Sequence, residues 1–267
     1  MADIHPTAIV APEAQLAEDV VVGPMCIVGP NVVIGAGSRL LAQCHIGGHT
    51  TIGKNNTFFP FCVIGLVGQD LHVDPNQVSY VRIGDGNVFR ENCSVHSGTG
   101  DGTETVVGSN CMLMSGSHIA HNARIGNNVI MVNNSMIGGY CELGDSVVMS
   151  GLTALHQFCR VGKLGMMGGC SAYSMDVPPF MIASGRNVGV TMLNIVGMRR
   201  AGMSNEQIAR VKAMYQIFFY SGLSQTNAIA RIDSEMEKTP EVVEFLEFYK
   251  NSKRGLTRAA KPFESKD

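Results

Sequence analysis

Large apolar residues recur every six positions along the first part of this chain. Stepping from Ile4 gives Val10, Leu16, Val22, Val28, Ile34, Leu40, Ile46, Ile52, Phe58 and Ile64. The pattern lapses, returns at Ile83, Phe89 and Val95, lapses again, and restarts at Val107. From there it runs through Leu113, Ile119, Ile125, Met131, Ile137, Leu143, Met149, Leu155 and Val161 to Met167. Two runs of eleven units contain no miss. A period of six matches neither the 3.6-residue turn of a helix nor the two-residue alternation of an ordinary strand. It matches a solenoid in which three short strands make one triangular coil of about eighteen residues. The pattern therefore predicts an all-β solenoid with an α tail, specifically a left-handed parallel β-helix of hexapeptide repeats.

The position four residues after each large one is mostly small, and seven of the eight cysteines (26, 44, 62, 93, 111, 141 and 159) occupy it. Cysteine there acts as a compact apolar residue packed at a corner. Neither disulfides nor a cysteine metal site is expected. The two lapses, near 66–82 and 98–106, are rich in Asp, Asn, Pro and Gly and predict loops expelled from the prism. Such loops on a rigid scaffold are favoured places for binding residues.

The repeat fades near Tyr173, and Asp176-Val177-Pro178-Pro179 interrupts it. Beyond it, Ser204-Asn205-Glu206-Gln207 reads as a capping box opening a helix whose inner face is Ile208, Val211, Met214, Tyr215 and Phe218. Gly222 follows its end. A second helix is expected near 224–238, and Thr239-Pro240-Glu241 opens a third, with Thr239 as its cap. Residues 261–267 look disordered. The expected division is a β-helix over 1–190 and a helical domain over 191–267.

Composition narrows the function. The chain has 267 residues, 45% of them hydrophobic and 16% charged, with 31 Gly and a net charge of −2. That balance gives no support for nucleic-acid binding. No apolar run approaches the length needed to cross a bilayer. The start, Met1-Ala2-Asp3-Ile4-His5-Pro6, lacks the features of a secretory signal, so a cytoplasmic location is expected.

Candidate chemistry lies in the stacked units beginning at Ile119, Ile137 and Leu155. Eighteen-residue spacing places His121, Gly139 and Gln157 in one slot of successive coils, about 4.8 Å apart. Asn122, Tyr140 and Phe158 form the next column. His121 is thus a candidate base on an outward corner, with His118 and His156 nearby, although a corner that merely carries solvated imidazoles has the same pattern.

Several segments sharpen this reading: His118-Ile119-Ala120-His121, Gly151 to Cys159, Gly168-Gly169-Cys170-Ser171, Asp176-Val177-Pro178-Pro179, Gln69-Asp70-Leu71 and Arg254-Gly255-Leu256. Together they resemble the UDP-N-acetylglucosamine O-acyltransferase family of lipid A biosynthesis, over nearly the whole chain. The resemblance implies transfer of an (R)-3-hydroxyacyl group from acyl carrier protein to the sugar's 3-hydroxyl, by a homotrimer with active sites between subunits. With the cysteines interior and no tight Cys/His ligand pattern, neither metal nor cofactor is expected. It implies that His121 is the general base and that the Gly139 amide is an oxyanion donor. Asp70, His72, His118, Tyr140, His156 and Gln157 would line the substrate pocket, and Asn194 and Arg200 would hold the nucleotide. Gly169 would set the length of the acyl groove.

The sequence departs from the family pattern at Asn122 (usually Asp), His72 (usually Lys), Tyr140 (often His), Val196 (an acidic residue) and Ala201 (a basic one). These changes gather on the acceptor side, so N-acylation of a 3-amino sugar nucleotide is a rival reading. A carbonic-anhydrase-like zinc β-helix using His96, His118 and His121 is a second rival, and a silent scaffold is a third.

Overall fold

The computed structural model describes residues 1–74, 76–185 and 188–260. The chain winds as a left-handed parallel β-helix. Among the described residues its short strands fall into three sheets of 11, 9 and 8 strands, and the strands inside each parallel stack pair with one from the coil before and one from the coil after. Register follows the six-residue period: Ile119 pairs with Val95 and Ile137, and Ile137 pairs with Leu155.

The large residue of each unit points inward. From Val22 to Met167 the series is buried, with Phe58 and Phe89 stacked 4.7 Å apart. The first three members are the exceptions: Ile4 is 43% exposed, and Val10 and Leu16 are only partly buried. Among the described residues the strands of the first coil pair on one side only, so its inward residues are covered from that side alone. The seven corner cysteines are free and buried, and all but Cys159 direct the thiol at a backbone carbonyl, as Cys62 Sγ does at 3.1 Å from the Arg90 oxygen. Burial pushes the Cys141 thiol up to about 12, which keeps it protonated and inert.

Both expelled loops are shorter than the sequence pattern implied. Strands Tyr80–Ile83 and Glu104–Val107 claim residues assigned to loops, leaving 67–79 and 97–103 outside the prism. The cause is pairing. Tyr80 to Ile83 lie in register with His49–Ile52 on one side and Glu104–Val107 on the other. Val81 and Thr105 add inward positions, both fully buried, that a search in steps of six passes over.

The β-helix closes with an antiparallel hairpin, Met181–Ser184 with Gly189–Leu193, whose second strand runs across the expected 190/191 boundary. A short helix α1 (Ile195–Arg200), also not foreseen, follows it, and then α2 (Asn205–Tyr220), α3 (Gln225–Glu235) and α4 (Pro240–Lys250). The capping box forms: Ser204 Oγ accepts from Gln207 N, and Gln207 Oε1 accepts from Ser204 N. Val211, Met214, Tyr215 and Phe218 are buried as expected, with Phe218 edge-on to Phe245 of α4 at 5.1 Å.

Thr239 does not cap α4 with its side chain. Among the described residues its Oγ1 is buried without a partner, and Glu241 turns to Arg210 of α2 instead. The chain then returns to the prism, where Leu256 bridges to Asp176 and Ala259 to Val190. Residues 261–267, expected to be disordered, lie outside the described residues. No helix among the described residues is long and apolar enough to cross a membrane.

Candidate active site

His121 sits at the corner between the second and third sheets, in the column His121, Gly139 and Gln157. Tyr140 N donates to His121 O and Phe158 N to Gly139 O, tying one corner to the next. The following residues, Asn122, Tyr140 and Phe158, all have left-handed φ, between 59° and 65°. Asparagine tolerates that conformation, whereas the two aromatics are strained by it. Tyr140 and Phe158 stack 4.9 Å apart on the surface, and Tyr140 stands edge-on to His121 at 5.4 Å.

The corner is not open as its outward position implied, because His121 is only 7% exposed. Both expelled loops fold over it. A Cβ on Gly68 of the first loop would lie 3.0 Å from His121 Cβ, and Thr99 of the second loop reaches the imidazole from the side, with Oγ1 3.2 Å from Nδ1. Nδ1 is also 2.8 Å from Asn122 Oδ1, and that oxygen accepts from Thr99 N and Thr99 Oγ1, each at 2.9 Å. On the opposite edge of the ring, Asp70 Oδ2 stands 3.9 Å from Nε2. The backbone N–H of His72 donates to Asp70 Oδ1 at 2.8 Å and holds that carboxyl below the usual range, so it is ionised at neutral pH.

Gly139 lies directly against this ring. A Cβ there would meet Cε1 at 2.4 Å and Nε2 at 2.6 Å, so no other residue fits without moving the imidazole. Among the described residues its N–H donates to no other group.

His118 and His96 flank the corner, edge-to-face at 5.1 Å, with Ser94 Oγ 2.8 Å from His118 Nδ1. Burial, with help from the two neighbouring imidazoles, pushes His118 down to about 4, and burial lowers His96 as well. Both are therefore neutral at pH 7. His96 is a buried strand residue whose Nδ1 has no hydrogen-bond partner among the described residues. Among the described residues no group of His, Cys, Asp or Glu is arranged to hold a metal ion.

His156 and Gln157 are exposed one coil beyond Gly139. The returning C-terminal segment sets Arg254 beside them, with Nη2 3.5 Å from His156 Nδ1 and 3.2 Å from Ser174 O. His72 points outward with 93% of its side chain exposed. Asn194, Arg200 and Gly169 lie away from this corner. Asn194 is buried, capping α1 through Gly197 N and donating to Leu164 O. Arg200 is exposed in the last turn of α1. Gly169 is exposed at the corner between the first and second sheets.

Sequence reasoning did not single out Thr99. The only signal was its place in a break rich in Gly, Asp and Thr.

The helical end, residues 176–257, matches the family described as Udp N-acetylglucosamine O-acyltransferase, domain 2, and residues 104–139 match the bacterial transferase hexapeptide family. A curated relative from Thermodesulfovibrio yellowstonii, named acyl-[acyl-carrier-protein]--UDP-N-acetylglucosamine O-acyltransferase, is 42% identical over 97% of this chain and 100% of its own. This chain belongs to the UDP-N-acetylglucosamine O-acyltransferase family. Another of its members, from Myxococcus xanthus and of the same name, is 43% identical over 97% of this chain and 100% of its own. The solved acyltransferase from Acinetobacter baumannii superposes on it with a TM-score of 0.91 at 40% identity, covering 96% of this chain and 99% of that one.

Proposed function

We propose that the protein transfers an (R)-3-hydroxyacyl group from acyl carrier protein to the 3-hydroxyl of UDP-N-acetylglucosamine, with His121 as general base. Family membership supports the reaction class, and the observation that carries the site is the pairing of His121 Nδ1 with Asn122 Oδ1 at 2.8 Å. That bond occupies Nδ1 and leaves Nε2 on the side of Asp70 and Gly139. A sugar hydroxyl is a weak nucleophile until a base takes its proton. Nε2 takes it as the oxygen attacks the thioester carbonyl, the Gly139 N–H steadies the charge forming on the carbonyl oxygen, and collapse breaks the C–S bond. The proton held on Nε2 then passes to the leaving thiolate. Asp70, near Nε2, steadies the imidazolium and offers an acceptor to the sugar.

The active form we propose is a homotrimer. Outward residues of the first sheet over five successive coils are Val88, Met112, Ile130, Val148 and Met166, an apolar column on an open face. The proposed nucleotide residues Asn194 and Arg200 are held apart from His121 within one chain, and a neighbouring copy supplies the missing wall. Small and apolar outward residues Met136, Ala154 and Ala172 continue the column of His118 on the second sheet, which suits an acyl path.

Acyl carrier protein is acidic, and Lys163, Arg199, Arg200, Lys253, Arg254 and Arg258 offer basic groups for it. Arg160 is not free to join them, being engaged by Glu142 at 2.8 Å and stacked on Phe248. We place the reaction in the cytoplasm, with no cofactor.

The test is an acyl-transfer assay with purified acyl carrier protein donors and two acceptors, UDP-N-acetylglucosamine and its 3-amino analogue. An ester product with the first supports the reading. An amide formed only with the analogue, or no product with either, overturns it.

A further inference from the structure

We propose that Thr99, carried in by the second expelled loop, is the positioning residue that makes Asn122 act on His121 as an acceptor. This rests on the reading of His121 as the base. An asparagine side chain has two faces, one accepting and one donating, and which one meets the imidazole decides where the ring proton sits. The backbone N–H of Thr99 can only donate, so the Asn122 atom 2.9 Å from it is the carbonyl oxygen. Thr99 Oγ1 gives that oxygen a second donor at the same distance.

With the amide fixed this way, its oxygen faces His121 Nδ1 at 2.8 Å. A carbonyl oxygen cannot donate, so Nδ1 carries the proton and Nε2 keeps its lone pair. Thr99 Oγ1, 3.2 Å from Nδ1, gives its one proton to Asn122 Oδ1 and so meets Nδ1 as an acceptor, which favours the same tautomer. The opposite amide orientation would set Asn122 Nδ2 against both the Thr99 N–H and Nδ1. It would turn Nδ1 into an acceptor, move the proton to Nε2, and leave no base facing the pocket.

The main chain of Asn122 is secured from the same insertion. Its N–H donates to Thr105 Oγ1 at 2.8 Å, and Thr105 is fully buried. Thr99 and Thr105, at either side of the loop's end, thus hold the side chain and the backbone of one residue. The dependence is specific to asparagine, because both oxygens of an aspartate accept and its orientation needs no such clamp.

That specificity supplies the experiment, a double-mutant cycle on kcat and KM. Thr99→Val keeps the backbone N–H and removes the hydroxyl. It is expected to lower kcat about five- to tenfold, as for loss of one hydrogen bond, with KM changed less than twofold. Thr99→Ser restores the rate. In an Asn122→Asp background the same Thr99→Val change is expected to cost less than twofold.

Equal losses in both backgrounds would show that Thr99 only braces the loop, and no loss in either would show that it has no role; both results overturn the proposal. Should Thr99→Val fold poorly, Thr99→Ala and Thr99→Cys provide the same comparison. His121→Ala, assayed alongside, separates the two readings. A near-normal rate in that variant removes the base itself, whereas a large loss with an additive Thr99–Asn122 cycle removes only the clamp.

Discussion

Gly139 lies so close beneath His121 that a single methyl group on it would stand 2.4 Å from Cε1 and 2.6 Å from Nε2 of the imidazole. Its φ is not left-handed, so backbone conformation does not demand glycine here; the neighbouring ring does. Gly139→Ala is expected to push the ring off Asn122 and lower the transfer rate at least a hundredfold, since base geometry tolerates little displacement. The fold should persist, because the residue is not in the hydrophobic core. Steady-state rates and a thermal melt check both halves.

His118 connects the site to acid stability. Its pKa is 6.5 when exposed and about 4 in the folded protein. Between those values the unfolded chain binds more protons than the folded one, so stability rises with pH across this window and is flat above it with respect to this group. The melting temperature of the wild type is expected to fall as pH drops from 6.5 towards 4. In His118→Gln that fall should be shallower, and melts of both proteins over the same range measure the difference.

Donor length is expected to depend on Gly169. A Cβ there would meet Gly151 O at 3.2 Å and Ser150 Cβ at 3.7 Å, and otherwise face open space, so a side chain can be added at the cost of a small shift. Met167 is fully buried in the prism and cannot close the groove. The wild type should prefer a long donor, around fourteen carbons. Gly169→Met should favour shorter ones, since each methylene left unburied forfeits about 0.8 kcal/mol. Relative kcat/KM across donors of several lengths reports the shift.

Assembly is expected to depend on the apolar column of the first sheet. Ile130 is outward and 37% exposed in the single chain. An Ile130→Arg substitution places a charge in the middle of the proposed subunit contact, where desolvation is costly. Sedimentation should show a monomer that keeps its β-helix and has lost most of its activity. An active trimer would contradict the proposed interface.

The solenoid was legible because every six residues repeat one packing demand, a large residue inside and a small one at the corner. The slot shared by His121, Gly139 and Gln157 followed from eighteen-residue arithmetic. What surrounds that slot did not. The loops that bury His121 have no period, and nothing local to Gly68 or Thr99 says that either folds back onto a coil far along the chain. The hairpin after Met181 and the six-residue α1 were too short and too interrupted by glycine to show a period. Thr239 carried the local signature of a cap, and the tertiary pairing of Glu241 with Arg210 accompanies a different arrangement.

The central claim is that His121 takes the proton from the attacking hydroxyl. It is tested most directly by the single-turnover rate of acyl transfer in His121→Ala, with the β-helix verified by circular dichroism and assembly by sedimentation. The account predicts a rate lower by roughly 10² to 10⁴, the usual contribution of a general base, in a protein that is otherwise folded and assembled. A folded, assembled His121→Ala protein that transfers acyl groups at close to the wild-type rate would contradict it.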